Sequence, residues 1–374
     1  MKEDIQNRWE SYLMYHQKEE LKDFWQEFYQ RRPDARVLFL LGKGFDPRMN
    51  NILKLMLQTI NGLHLECITF DFPDVGHNAE NQKLYDANAV ELEELRKQYG
   101  FVISVIPIDA SQSWDKRIAL MSRKIIDKDL STFNDIIIDV SALPRAFYFN
   151  IAKALFNKLK SDPSKNLFFA VSENVEIDKQ IKKNVPNDNI EPLIGFRSMS
   201  SRESVLDRIN ILIPLIGEGE ENVSLLDKIY TRFQPSDMFP VLPFPSKDPR
   251  RSETLMLEYH SFFTDKRCNQ PQNITYADEQ NPFELYRIVS QLMDGHQKTL
   301  KPICTNVCFG IALLTSKLLS LGALLVGLEH NNCVAIYNTS STNYSIKNAK
   351  SLAQKNKDSE PFLLWITGEA YNEE

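Results

Sequence analysis

Five short apolar runs alternate with segments of helical periodicity between residues 35 and 175. The runs contain almost no polar residues, which is typical of strands that are buried on both faces of a parallel sheet. They are Val37–Leu41, Leu65–Phe70, Phe101–Pro107, Asp135–Val140 and Asn166–Val171. The intervening segments predict helices at 49–60, 89–99, 114–128 and 146–159. This alternation predicts a doubly wound, Rossmann-like α/β lobe with a parallel sheet.

An amphipathic pattern precedes this lobe. Apolar residues recur on one face from residue 5 to about residue 29, which predicts a single helix that ends near Pro33. Packing of that face against the core is the favoured interpretation, because apolar helix faces are normally buried. The alternative is that the N-terminal helix binds a protein partner or mediates self-association.

The second half of the chain predicts a smaller α/β lobe. An acidic, glycine-containing stretch at 217–223 is interpreted as a linker. Beyond it we expect strands at 239–244, 273–276, 323–328, 334–337 and 361–366, and helices at 251–263, 282–293 and 308–319. The predicted organisation is therefore an N-terminal helix at 1–32, a Rossmann-like α/β domain at 33–216 and a second α/β domain at 224–374.

The tripeptide Asp-Pro-Arg occurs twice, each time between a predicted strand and a predicted helix. Aligning Asp46-Pro47-Arg48 with Asp248-Pro249-Arg250 also aligns Leu53 with Leu255 without a gap. A tripeptide alone is a weak signal, since short matches arise by chance. The shared context raises the hypothesis that the second lobe is a degenerate internal duplication.

Composition excludes several common functions. The 44 basic and 50 acidic residues give a net charge of −6, so tight binding of duplex DNA is not expected. The thirteen glycines form no dinucleotide or Walker fingerprint, and the six histidines have no metal-ligand spacing. We therefore predict no metal site and identify no catalytic residue or cofactor. Five scattered cysteines and the lack of an apolar run near 20 residues predict a cytoplasmic protein without membrane association.

The candidate chemistry lies in the loops after the first and fourth predicted strands. Ligands of open parallel sheets bind beyond the carboxyl ends of the strands, where the strand order reverses. Each loop supplies a carboxylate at the strand end and an arginine in the first helical turn, where the helix dipole does not favour a cation. Helix amides together with a guanidinium suit a phosphate or carboxylate. The alternative is an Asp–Arg pair that bridges the loops and locks the sheet. The predicted ligand-binding residues are Lys43, Asp46, Arg48, Asp139, Ser141 and Arg145, with Lys247, Asp248 and Arg250 added through the proposed repeat.

Residues 35–175 resemble CARF domains, the Rossmann-like sensors of cyclic oligonucleotides linked to CRISPR systems. The segment Asp139-Val140-Ser141-Ala142-Leu143-Pro144-Arg145 stands where that family carries a Thr/Gly-rich turn that ends in lysine. The resemblance implies binding through the loops after strands one and four. The predicted function is therefore binding of an anionic, nucleotide-like or phosphorylated ligand by a sensor or regulatory protein. An enzyme acting on a nucleotide or phosphorylated substrate, and a degenerate α/β scaffold acting through protein contacts, remain alternatives.

Overall fold

The computed structural model describes residues 7–72, 78–109, 111–184, 190–198, 208–265, 271–300, 302, 304, 306–338 and 343–371. The chain forms two compact units, and each is built from two separate stretches. The first unit comprises residues 13–185 and 340–374, and the second comprises residues 1–12 and 186–339. The boundaries differ from the predicted 33–216 and 224–374, because the chain leaves the first unit near residue 185 and returns to it near residue 340.

The strands and helices are numbered in chain order. The strands are β1 (Leu13–His16), β2 (Arg36–Lys43), β3 (His64–Asp71), β4 (Val102–Pro107), β5 (Asp135–Asp139), β6 (Asn166–Glu173), β7 (Lys182–Asn184), β8 (Pro192–Arg197), β9 (Arg208–Leu215), β10 (Asp237–Met238), β11 (Val241–Pro243), β12 (Thr275–Ala277), β13 (Asn306–Leu313), β14 (Val334–Tyr337), β15 (Asn343–Ser345) and β16 (Glu360–Thr367). The helices are α1 (Lys18–Gln30), α2 (Asn51–Thr59), α3 (Ala79–Tyr99), α4 (Trp114–Ile126), α5 (Arg145–Leu159), α6 (Val175–Asp178), α7 (Glu220–Phe233), α8 (Arg251–Glu258), α9 (His260–Asp265), α10 (Pro282–Leu300), α11 (Lys317–Glu329) and α12 (Ala349–Lys355). None of the described helices is long and apolar enough to cross a bilayer.

The first unit contains a seven-stranded sheet in the order β1-β16-β6-β5-β2-β3-β4. The strands β2 to β6 are mutually parallel, whereas β16 and β1 are added in antiparallel fashion beside β6. Counted along the chain, the five parallel strands lie in the order third, second, first, fourth, fifth. This is the Rossmann-like order, and it confirms the predicted fold class. The strand order reverses between β2 and β5.

The second unit repeats this order. Its main sheet runs β12-β11-β9-β13-β14-β8, in which β8 alone is antiparallel to its neighbour. The parallel strands again lie in the order third, second, first, fourth, fifth, and the reversal falls between β9 and β13. The predicted second α/β lobe is thus present. The stretch at 217–223 is not a linker, because it is the loop after β9 and the start of α7, where Asn222 is buried.

Two predicted elements have the opposite type. The first half of the predicted helix at 308–319 lies on strand β13, and the predicted strand at 323–328 lies inside α11. Ten residues of α11 are buried, so this helix shows no polar face from which its period could be recognised. The predicted N-terminal helix is also partly wrong, because β1 occupies residues 13–16 and the helix begins only at Lys18.

The apolar face of α1 packs in the core of the first unit. Leu21, Trp25 and Tyr29 are at most 5% exposed and belong to the same cluster as Val37 and Phe39 of β2. This burial agrees with the interpretation that the apolar face of the N-terminal helix packs against the core. Trp9, which precedes β1, belongs to the second unit, where it is buried and meets the Tyr286 ring edge-on with 5.3 Å between the ring centres.

The two Asp-Pro-Arg tripeptides form the same turn in non-equivalent loops. The Asp46 carboxylate accepts from the amide of Arg48 at 3.0 Å, and the Asp248 carboxylate accepts from the amide of Arg250 at 3.0 Å. Asp46 follows β2, the first parallel strand of its sheet, whereas Asp248 follows β11, the second. The topological counterpart of the loop after β2 is therefore the loop after β9.

Two glycines mark that correspondence. Gly42 is the second-last residue of β2, and a Cβ atom built on it would lie 2.9 Å from the carbonyl oxygen of Ala142 in the loop after β5. Gly217 follows β9, and a Cβ atom there would lie 2.3 Å from the carbonyl oxygen of Leu314 in the loop after β13. In both sheets, the chain at the end of the first parallel strand touches the loop after the fourth.

Candidate functional site

The reversal point of the first sheet brings together the two loops that the sequence singled out. The contact between Gly42 and Ala142 joins them. In the loop after β5, the Asp139 carboxylate accepts from the amide of Ser141 at 2.9 Å, and the Ser141 hydroxyl accepts from the amide of Ser172 at 2.8 Å. Asp139 and Ser141 are buried, so they fix the course of this loop.

Arg48 is held in a buried ion pair. Its Nε and Nη2 atoms donate to the two Asp46 carboxylate oxygens at 2.9 and 2.8 Å, and Nη2 also donates to Asp178 Oδ1 at 2.7 Å. Arg48 is 1% exposed. Burial alone would lower the pKa of the guanidinium, but attraction to Asp178 and Asp46 raises that pKa well above its usual value. Arg48 therefore ties the loop after β2 to α6. The locking alternative instead predicts an Asp–Arg pair between the loops after β2 and β5.

A network of amide side chains supports the same loop. Asn88 donates to the carbonyl oxygens of Gly44 and Asp46 at 2.8 Å, and Asn356 donates to that of Pro47 at 2.6 Å. The Asn51 side-chain amide extends this network, because it donates to the Ser172 hydroxyl at 2.9 Å and to Asn356 Oδ1 at 2.8 Å. Sequence reasoning missed Asn51, Asn88, Asn356 and Asp178. Their partners lie tens to hundreds of positions away, and no local pattern indicated them.

Lys43 forms a second polar group at the end of β2. Its ammonium lies 3.0 Å from Asp71 Oδ2 and 4.9 Å from the centre of the Tyr85 ring, and the Tyr85 hydroxyl donates to Asp71 Oδ1 at 2.7 Å. Burial acts to lower the pKa of Lys43, but hydrogen bonds to Tyr85 and Asp71 raise it overall. The Lys43 side chain keeps 21% of its surface exposed, so a cation remains partly open to solvent here.

Arg145 begins α5 and is partly exposed. The residue before it, Pro144, gives the helix no side-chain cap, and its carbonyl oxygen accepts from Phe147 at 3.0 Å. The charge of Arg145 also acts on Tyr344. Burial raises the pKa of the Tyr344 hydroxyl, while Arg145 acts in the opposite direction. Arg145 therefore lies close to the segment that returns to the first unit.

That returning segment covers part of the crevice. A small apolar cluster joins the loop after β2 to α3, α6 and the segment 343–355, and we call it the capping cluster. Its buried members are Phe45, Leu84, Ile177, Ile346, Ala349 and Leu352. Asn81 donates to the carbonyl oxygen of Tyr344 at 2.8 Å, and Glu80 accepts from the amide of Ala349 at 2.8 Å. Apolar side chains of the protein therefore pack against the loop after β2.

The predicted residues of the second lobe belong to a separate unit. Lys247, Asp248 and Arg250 are exposed in the loop after β11. The buried arginine of this unit is Arg251, which pairs with Glu279 and with Glu218, the latter at 2.7 Å. The Glu279 carboxylate also accepts from the amide of Lys247 at 3.1 Å, so this buried ion pair is bonded to the loop after β11.

The reversal point of the second sheet is acidic. Glu218, Glu220 and Glu221 follow β9, and the Gly219 amide donates to Glu258 at 2.8 Å. Burial raises the pKa of the Glu258 carboxyl, and the neighbouring acids raise it further against the effect of the Gly219 hydrogen bond. Repulsion by these carboxylates opposes binding of an anion in this unit. Over the residues with described positions, no three His, Cys, Asp or Glu side chains are grouped to hold a metal ion.

Comparisons with known proteins add little to this geometry. No family model matches the chain, and no curated protein matches it. Among solved structures, the cytoplasmic domain of a prokaryotic cation chloride cotransporter is 11% identical, with 85% of this chain and 99% of that chain covered and a TM-score of 0.23. A putative universal stress protein from Pseudomonas aeruginosa is 11% identical over 86% and 97% of the two chains, with a TM-score of 0.21. A putative UDP-N-acetylglucosamine 2-epimerase from Listeria monocytogenes is 11% identical over 87% and 91%, with a TM-score of 0.23. With TM-scores this low, these likenesses carry no argument about function.

Proposed function

We propose that the reversal point of the first sheet binds a small anionic ligand of the nucleotide-like or phosphorylated class, in a sensor or regulatory role. The observation that carries the proposal is the position of Lys43 and Arg145. These partly exposed cations end β2 and begin α5, on the two loops that meet at Gly42. Ligands of open α/β sheets bind at this point of the fold.

The proposal divides the predicted residues by role. Lys43 and Arg145 contact the ligand, because they combine positive charge with exposure. Asp46, Arg48, Asp139 and Ser141 act as positioning residues, because they are buried and bonded to the backbone or to each other. A rigid loop reduces the entropy that is lost when a ligand binds.

Thermal-shift screening against nucleotides, cyclic nucleotides and inorganic phosphate tests the proposal. A ligand at 100 times its dissociation constant stabilises the folded protein by about 2.7 kcal/mol. Lys43→Ala and Arg145→Ala should each remove the shift. Lys54→Ala is the matched control, since Lys54 is an exposed, carboxylate-paired cation on α2. A shift that survives both substitutions would place the ligand elsewhere, and product analysis on any hit would reveal turnover.

A second candidate is an α/β scaffold that acts through protein contacts. The capping cluster favours it, because Phe45 and Ile346 fill space that a ligand would need. If the protein acts only as a scaffold, no compound in the screen should shift the melting temperature of the intact chain. A saturable shift that depends on Lys43 would exclude this candidate.

We also infer that the two units arose by duplication. The identical strand order and the matching contacts of Gly42 and Gly217 support this inference. The correspondence runs through β2 and β9, not through the Asp-Pro-Arg tripeptides. The acidic loop after β9 then indicates that only the first unit kept an anion site.

A further inference from the structure

A groove lies between α3 and β4 in the first unit. It has a volume of about 680 Å³, which is within the range of small-molecule pockets in proteins. The helix contributes Ala89 and Leu92, which share a helix face because they are three residues apart. The strand contributes Ile103 and Val105, which share a strand face because they are two residues apart. Val105 is 54% exposed, so the groove has apolar walls and is open to solvent.

The register of the sheet connects this groove to a proposed ligand contact. Lys43 also lines the groove, and it lies opposite Asp71 of β3. Two residues earlier on the same face of β3, Thr69 lies opposite Val105 of β4. The level of Thr69 is therefore roughly 7 Å from that of Lys43 along the strand direction, a span that one ribose can bridge. A phosphate held at Lys43 leaves the rest of a nucleotide over Thr69 and Val105.

Thr69 is the polar residue of β3 that lines the groove. Its side chain is buried, and its hydroxyl oxygen has no hydrogen-bond partner in the described part of the chain. A buried hydroxyl without a partner costs free energy. A donor or acceptor on a bound ligand would remove that cost, whereas an alkyl chain would not. The groove therefore favours a ligand whose flat or apolar body carries a polar edge.

We infer that this groove receives the base of a nucleotide whose phosphate lies at Lys43. The inference rests on the proposed function and narrows its ligand class from phosphorylated compounds in general to nucleotides. A flat heteroaromatic ring fits between a strand and a helix, and its edge carries donors and acceptors. Binding turns the Thr69 hydroxyl towards the base by a change of χ1 rotamer, since such changes are common at binding sites. One hydroxyl both donates and accepts, so Thr69 favours no particular base.

Binding of AMP and of ribose 5-phosphate to the full chain, measured by isothermal titration calorimetry, tests the inference. The two compounds share the phosphate and the ribose and differ in the base. AMP should bind about tenfold more tightly or better, because its base buries apolar surface. Lys43→Ala should weaken the binding of both compounds.

The two proposals fail in different ways. Equal affinities for AMP and ribose 5-phosphate, both dependent on Lys43, would refute the groove and leave the proposed function intact. If neither compound binds, the inference is wrong, and the thermal-shift screen against cyclic nucleotides and inorganic phosphate decides the proposed function.

Substitutions in the groove locate the base. Val105→Trp should fill the groove and reduce the affinity for AMP to that for ribose 5-phosphate. Ser104→Trp is the matched control, because Ser104 is exposed on the opposite face of the same strand and is not among the described lining residues. If both tryptophan variants bind AMP as tightly as wild type does, the base lies outside the groove.

Thr69→Val tests the hydroxyl separately. This variant should bind AMP about 2- to 10-fold more weakly, the range for loss of one hydrogen bond, and should bind ribose 5-phosphate as wild type does. Without ligand its melting temperature should not fall, because valine has the same shape and no hydrogen bond of the free protein is lost. Unchanged AMP binding by Thr69→Val would show that the base does not contact this hydroxyl.

Discussion

Arg48 and Asp178 form a hydrogen-bonded ion pair, with 2.7 Å between Nη2 and Oδ1, across 130 positions of sequence. The same guanidinium binds Asp46, so one buried cation holds two carboxylates. The net charge of this group is negative, and the Nε and Nη2 atoms of its arginine are already bonded to the two carboxylates. At the reversal point, the role of the arginine is therefore to hold the loop after β2 in place, and the proposed ligand contacts are Lys43 and Arg145.

Arg48→Ala should destabilise the first unit strongly. Removing one partner of a buried ion pair costs about 3–5 kcal/mol, because the remaining carboxylates lose their compensation. The melting temperature should fall by roughly 6–20 °C. Differential scanning calorimetry measures this change. Arg145→Ala serves as the comparison, because Arg145 is partly exposed, and its melting temperature should stay within about 2–4 °C. An equally small change for Arg48→Ala would contradict the locking role.

Gly42→Ala should destabilise the protein, whereas Gly44→Ala should not. A methyl group at position 42 would meet the carbonyl oxygen of Ala142 at 2.9 Å, while nothing lies within 4 Å of the same group at position 44. Overpacking of this kind costs typically about 1–3 kcal/mol. Urea denaturation of both variants measures the difference. Equal midpoints would show that the two loops can separate without cost.

Glu258→Gln should stabilise the protein at neutral pH. The pKa of Glu258 is raised in the folded state, so the folded protein binds this proton more tightly than the unfolded chain does. The free energy of unfolding that this group contributes is present at low pH and is lost as the pH rises through the folded pKa. Glutamine keeps an acceptor for the Gly219 amide and removes the charge.

The advantage of Glu258→Gln should therefore grow from acidic to neutral pH in parallel urea titrations. Glu253→Gln, an exposed change on the same helix, is the control. A constant difference between Glu258→Gln and wild type at all pH values would show that the carboxyl does not titrate differently on unfolding.

Trp25→Ala should cost about 3–5 kcal/mol, because Trp25 is 1% exposed in the core cluster of the first unit. Gln26→Ala, at the neighbouring exposed position, should stay within about 0.5 kcal/mol. Chemical denaturation of both variants measures the contrast. If Trp25→Ala left stability unchanged but impaired association with another protein, the apolar face of α1 would be a binding surface.

The apolar runs predicted the first sheet well, because the central residues of strands such as β2 and β5 are buried and apolar, and charged residues stand only at the strand ends. The same property misled the prediction near residue 315. From β13 through α11 nearly every residue is buried, so strand and helix share one continuous apolar pattern. The useful signal was Ser316, whose side chain caps α11 by accepting from the amide of Leu319.

The candidate site was predictable only in part. The loops after β2 and β5 were identified from the general behaviour of open sheets, and the contact at Gly42 joins them. The partners of Arg48 were not predictable, since Asp178 lies on a short helix with no distinguishing pattern. Asn356 lies 305 positions from Asn51, and a hydrogen bond over that separation leaves no trace in local sequence.

The position of β16 between β6 and β1 has a consequence for biosynthesis. A ribosome delivers residues 360–367 after the entire second unit. Until then, β1 lacks its partner strand and one edge of β6 remains unpaired in the described part of the chain. Synthesis of the first unit therefore starts before that of most of the second unit and ends after it. The second unit can fold as soon as β14 leaves the ribosome. Nascent chains halted before residue 360 should therefore expose the edge of β6 to proteases and chaperones.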